Sequence, residues 1–294
     1  IIDCVNDKHP ATNNGATPFY IAACNGHLDI CKLIIDSVDD KNPATISGAT
    51  PLSIAACNGH FEICKLILDC VDDKNPASNS GKTPLHFAAS NGNLELFKLI
   101  FVGAKEKNQK DNSGITPYYE AAMKGHFRIC EFIINNVQEK NPKTRDGYTP
   151  MCAAAGSGFF DICKLIIDNV DDKNPATING ATPLYMAAQN GQLEICKLII
   201  KNVDAKNPAR TDGATPLSIA AKHGHLDICK LIIDSVDEKN PAMIDGATPL
   251  SIAACNGHFE ICKLIIKKVH DKNPAKNDGT TPLFLAACNG HLDI

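Results

Sequence analysis

GATPLSIAACNGHFEICKLIL, residues 48–68, decides the fold of this chain. It holds a glycine turn, a Thr-Pro start signal, a short apolar run, a second glycine and a longer apolar run. Ser47-Gly48 lies at a turn tip, and Asn-Gly or Asp-Gly replaces it elsewhere, residues that tolerate positive φ in a tight hairpin. Thr50 can cap free amides and Pro51 is tolerated at a first helical position, so a helix is predicted from Pro51 to about Asn58. The Ala55-Ala56 pair lets a neighbouring backbone approach closely, and Gly59 supplies a left-handed exit. A second helix is predicted from about Phe61 to Asp69. Its apolar residues, among them Phe61, Ile63, Cys64 and Leu66, spread too widely for one stripe, so it must be covered on more than one side. Asn75-Pro76 closes the unit, because Pro cannot donate and forces the preceding residue into extended geometry.

This unit recurs at a spacing of 33 residues from Gly15 to Gly279, with Thr-Pro two residues after each glycine. A fixed repeat of that length means one supersecondary unit stacked on copies of itself, each covering its neighbour's apolar faces. No linker, Ser/Gly tract or charge block interrupts the period, so residues 1–294 are expected to form a single array. Its parts are a partial repeat at 1–14, full repeats at 15–47, 48–80, 81–113, 114–146, 147–179, 180–212, 213–245 and 246–278, and a partial repeat at 279–294. Both ends fall inside predicted helices and no polar capping repeat stands there, which points to a fragment of a longer array or protein.

These residues resemble the ankyrin repeat, whose pattern runs Gly-x-Thr-Pro-Leu-His-x-Ala-Ala-x-x-Gly-His-Leu-Glu-Val-Val-Lys-Leu-Leu-Leu, and the resemblance covers the whole chain. It implies an all-α repeat solenoid: a curved, ankyrin-like stack of helix-turn-helix units with projecting β-hairpin loops. It also implies binding of other proteins at the concave hairpin and first-helix surface rather than catalysis. Two positions depart from the pattern. The glycine after the second helix is replaced by Val38, Val71, Val137 and their counterparts, and Val is strained in the left-handed region. The left-handed turn is therefore predicted one residue earlier, in the row Ser37, Cys70, Gly103, Asn136, Asn169, Asn202, Ser235 and Lys268. The His of Thr-Pro-Leu-His survives only as His86, which is expected to soften the loop network of the other units.

Composition removes several function classes. A formal net charge of −4 with interspersed signs lacks the basic stripe that nucleic acid requires. The longest apolar stretches, such as Ile195 to Ile200, fall far below the roughly 20 residues of a membrane span, so no membrane insertion is expected. Of the 14 cysteines, the row Cys31, Cys64, Cys130, Cys163, Cys196, Cys229 and Cys262 recurs at one position and reads as small buried hydrophobes in a reducing cytoplasm. Cys57-x-x-His60-x-x-x-Cys64, with its echoes at Cys24/His27/Cys31 and Cys255/His258/Cys262, has ligand types that suit zinc. The triplet spans a helix end, a glycine turn and the core of the next helix, so no metal or other cofactor is assigned. Asp39-Asp40 and Asp72-Asp73, beside Lys41 and Lys74, read as a solvated charge cluster. No convergent titratable set stands apart from the repeat, and no catalytic residue is assigned.

What stands apart is the middle. Residues 48–65 and 246–263 are identical, whereas the units from 81 to 179 diverge. Where outer units repeat Ala44, Ala176, Ala49 and Ala181, the central ones carry Lys110, Asn112, Ile115, Tyr119, Met123, Lys124, Lys143, Arg145 and Tyr148. Aromatic, Met and Arg side chains are enriched at interface centres, and the added cations favour an acidic or extended segment, so these form the candidate partner-binding set. Drift in old repeats accounts equally for the divergence. Glu120 takes the slot of Ile54 and Ile252, and either reaches solvent or is satisfied by Lys124 or by a neighbouring unit's Tyr. Gly156-Ser157-Gly158 weakens its helix and makes 147–179 the expected mobile joint. The function expected is a non-catalytic, monomeric scaffold for protein recognition. A structural spacer or spring tethering a catalytic or channel domain outside these residues is the alternative.

Overall fold

The computed structural model describes residues 10–294, so the first nine residues of the predicted partial repeat lie outside it. The described residues form 17 α-helices, and the chain divides into two compact units, Ile1–Arg145 and Asp146–Ile294. In the first unit the helices pair within each repeat as α1 (Pro18–Cys24) with α2 (Leu28–Ile35), α3 (Pro51–Asn58) with α4 (Phe61–Cys70), α5 (Pro84–Asn91) with α6 (Leu94–Gly103), and α7 (Pro117–Lys124) with α8 (Phe127–Asn136). The second unit continues with α9 (Pro150–Ser157), α10 (Phe160–Ile167), α11 (Pro183–Gln189), α12 (Leu193–Asn202), α13 (Pro216–Lys222), α14 (Leu226–Ser235), α15 (Pro249–Cys255), α16 (Phe259–Ile266) and α17 (Pro282–Cys288). Within each unit, first helices pack on the first helices of the next repeat and second helices on second helices. No helix among the described residues is long and apolar enough to cross a membrane.

The punctuation works as its chemistry requires. Thr50 is extended, its Oγ1 accepts the Ser53 amide at 3.2 Å, and α3 ends on Gly59 at φ +79°. The alanine pairs Ala55-Ala56, Ala88-Ala89 and Ala187-Ala188 have no exposed surface, which lets first helices stack closely. Leu52, Leu85, Leu184 and Leu217 are equally buried, and burial of such a side chain stabilises by about 1.5–3 kcal/mol. The described cysteines are free thiols, and burial pushes Cys64, Cys130, Cys163, Cys196 and Cys229 up to about 12. Thiols of that kind are inert core groups.

Three expectations require correction. No β-strand forms among the described residues: the loop at 45–49, for example, is a turn closed by Gly48 N–H to Thr45 O at 2.8 Å and Thr45 N–H to Ala49 O at 2.8 Å. Neighbouring turns share a single backbone bond, such as Asn79 N–H to Ser47 O at 3.0 Å, too few to propagate a ladder. The row from Ser37 to Lys268 is not left-handed, since every positive φ among the described residues belongs to one of two other glycine rows, that of Gly15 or that of Gly26. The chain instead leaves most second helices through an extended residue, as at Val71 with φ −112° and ψ 148°. A lysine takes over the cap: Lys74 donates to the carbonyls of Leu68 and Val71, and Lys41 to those of Ile35 and Val38. A cation there satisfies orphan carbonyls and suits the negative helix end, so these lysines are structural rather than merely solvated. Finally, the units with Ser in place of His86 keep a closed local cap, whereas those with Tyr, Cys or Phe there keep only the Thr side-chain half of it. Ser53 Oγ accepts the Thr50 amide at 2.8 Å and donates back to Thr50 O at 2.8 Å. In the serine units only the reach to the following repeat is lost, which His86 makes through Nε2 to Ile115 O at 3.0 Å.

Candidate binding groove

The central candidate residues fall in both compact units, Lys110 to Arg145 in the first and Tyr148 in the second. Tyr119 and Met123 stand four residues apart on α7 and share a face, half-buried and exposed respectively. Lys124, Lys143 and Arg145 are exposed, Tyr148 is half-buried, and Lys110 Nζ lies 3.7 Å from Glu139 Oε2. Asn112 is committed elsewhere: its Nδ2 donates to Asn79 O at 2.9 Å and stitches two turns together. Ile115 is half-buried, and its carbonyl holds His86. Glu120 does not reach solvent. Its carboxylate, 7% exposed, meets Lys82 Nζ at 2.7 Å, a residue of the preceding repeat that sequence reasoning passed over in favour of Lys124. The signal was present, since Lys82 replaces the Ala49 of other repeats just as Glu120 replaces their Ile54.

A better-formed site lies in the second unit. One position of the repeat reads Thr12, Thr45, Ser78, Asp111, Thr144 and Thr177, and then changes character to Arg210, Met243 and Lys276. In several of the earlier repeats the side-chain oxygen closes its own turn: Thr45 Oγ1 accepts the Ala49 amide at 3.1 Å and Thr177 Oγ1 the Ala181 amide at 3.0 Å. In the last three, an aspartate at the turn tip does this instead. Asp212 Oδ1 accepts from Ala214 N–H at 3.0 Å, Asp245 Oδ1 from Ala247 N–H at 3.0 Å, and Asp278 Oδ1 from Thr280 N–H at 2.9 Å. The exchange releases the former capping position to carry a long side chain. Arg210, Met243 and Lys276 then line a groove of about 430 Å³ whose floor includes Ile219 of α13, Ile252 of α15 and Leu285 of α17.

The charges of the groove are unevenly spent. Arg210 donates through Nη1 to Tyr185 Oη at 3.2 Å, stacks 5.1 Å above that ring and holds Asp212 at 3.5 Å, while its Nε has no acceptor. Lys276 stands between Asp245 at 3.4 Å and Asp278 at 3.8 Å. The Ala247 amide, and after it Lys276, hold the Asp245 carboxyl below its usual range. A family model described as ankyrin repeats (3 copies) matches residues 1–76, 19–111, 85–177, 169–241 and 233–294. The chain belongs to the ankyrin-repeat family. No curated protein matches it. In this ankyrin array the zinc-like triplets serve the stack: His60 Nε2 donates to Cys24 O at 3.0 Å in the preceding repeat, while Cys64 lies buried. Among the described residues no three His, Cys, Asp or Glu side chains gather in a way that would hold a metal ion.

Proposed function

We propose that this chain is a non-catalytic, monomeric, cytoplasmic scaffold that binds a partner protein through its concave loop and first-helix surface. The observation that carries the reading is the groove at Arg210, Met243 and Lys276, an apolar floor with a charged rim spread over successive repeats. Interface centres combine apolar area with Arg and Met in this way. The exposed central residues, Lys124, Lys143 and Arg145 among them, supply a second contact surface for an acidic or extended segment. Binding is rigid presentation: folding has already ordered the groove, so association loses little backbone entropy.

The test fills the groove. Ala247 lines it, and Tyr148 occupies the equivalent position of another repeat, so Ala247→Tyr adds bulk that the repeat accommodates. Affinity capture from a reducing extract should retain a protein on the parent chain that Ala247→Tyr loses at an unchanged melting curve. Loss on the triple variant Lys143→Glu, Arg145→Glu and Tyr148→Ala instead would move recognition to the central residues. If both variants capture what the parent captures, the array serves as a spacer.

A further inference from the structure

We propose that the groove takes a segment of another protein in polyproline II form, with acidic side chains six residues apart and an apolar side chain midway. This rests on the binding role proposed above and names the partner's chemistry. Arg210, Met243 and Lys276 share one repeat position and line one groove in the order cation, apolar, cation. Stacked helices lie about 8–10 Å apart, which sets the step from one of these side chains to the next. A β-strand covers that step in about three residues but then presents the third side chain on the opposite face. Polyproline II rises about 3.1 Å per residue with three residues per turn, so it returns a side chain to the same face every ~9.3 Å. Positions i, i+3 and i+6 of such a segment therefore meet Arg210, Met243 and Lys276 in turn.

The charge pattern selects acidic ends. Asp212, Asp245 and Asp278 each spend a carboxylate oxygen on a turn amide. The cations are held less firmly: their contacts to these aspartates are 3.4 to 3.8 Å long and partly solvated, and pairs of that kind contribute little. The Arg210 side chain keeps 27% of its surface exposed, and Lys222 adds a third cation to the lining. A ligand carboxylate pairs with the part-exposed Arg210, and a second one at i+6 meets Lys276. Between them Ile219, Ile252 and the adaptable Met243 side chain receive an apolar residue.

The experiment uses the whole chain and three fluorescent proline-rich peptides: Glu, Leu and Glu at i, i+3 and i+6; the same peptide with Gln for both Glu; and Glu, Leu and Glu at i, i+2 and i+4. The first should bind on the order of tenfold more tightly than either control, and more weakly as salt rises. Arg210→Thr with Lys276→Thr restores the residue of Thr45 and Thr177, so this variant should melt like the parent and lose the preference. Equal affinities for the three peptides, or a preference that survives in the variant, would overturn the proposal. Selection of a random displayed peptide library on the parent, with counter-selection on Ala247→Tyr, separates the two levels of the argument. Winners of another pattern mean that the groove binds but this partner class is wrong, and no winners at all mean that the groove reading fails as well.

Discussion

Glu120 carries a carboxylate into a slot that Ile54 and Ile252 fill elsewhere, and Lys82 at 2.7 Å is what makes this tolerable. Removing one partner of a buried pair leaves an uncompensated charge, at a cost of about 3–5 kcal/mol when both are fully enclosed. Lys82 keeps about a third of its side chain in water, so Lys82→Ala is expected to destabilise by roughly 2 kcal/mol. The double variant Lys82→Ala with Glu120→Ile reproduces the residues of repeat 48–80 and should recover most of that loss in urea denaturation. His86 gives a second test at this scale. Its Nδ1 accepts the Thr83 amide at 3.1 Å and its Nε2 donates to Ile115 O at 3.0 Å, so both nitrogens are committed in the neutral ring. Burial, the largest cause, holds its pKa below the ordinary histidine value of 6.5. As pH falls through about 6.5 the unfolded chain takes up this proton first, so stability is lost with acidification until the lower folded value is passed. Denaturation at pH 7.5 and 5.5 should show a larger loss in the parent than in His86→Ser, which installs the cap of Ser53; equal losses would show that His86 does not titrate in this range.

At the scale of the element, the local signals were legible and the long-reach ones were not. Thr-Pro starts and glycine exits act on amides within a turn of themselves, so residues 48–68 alone located α3 and the start of α4. The second-helix cap escaped because the group that makes it, Lys74, stands six residues beyond the carbonyl of Leu68 that it satisfies. The groove escaped for a related reason. The change from Thr177 to Arg210 carries meaning only beside the takeover of its turn by Asp212, an exchange visible when both positions are followed down the repeats together. Gly156 offers a test of helix chemistry. A Cβ there would meet Asn190 and Met186 at 3.7 Å, an ordinary contact, so Gly156→Ala should stabilise by about 0.5–1 kcal/mol. Gly158 sits at φ +87° with Gln192 at 2.8 Å from the position of a Cβ, and Gly158→Ala should destabilise. Hydrogen exchange around α9 checks the accompanying expectation that Gly156-Ser157-Gly158 is the loosest joint of the repeats.

For the molecule as a whole, the repeat does two things with one set of rules. Alanine pairs recur unchanged, the leucine and cysteine rows of the full repeats stay apolar and buried even where Tyr118, Met151 or Phe97 takes over, and these hold neighbouring repeats together, while several turn and first-helix positions are left to vary. Variation concentrated in the central repeats led sequence reasoning to place recognition there. The structure adds a groove in repeats that otherwise read as near-copies, made by a cation, a methionine and a second cation at one shared position. Amide hydrogen exchange of the chain bound to the protein it captures tests this account most directly. The account predicts slowed exchange in the turns at Arg210 and Met243 and along α13 and α15, with α14 and α16 unaltered. Slowing confined to repeats 81–146, or absent from the groove while the partner remains bound, would contradict it.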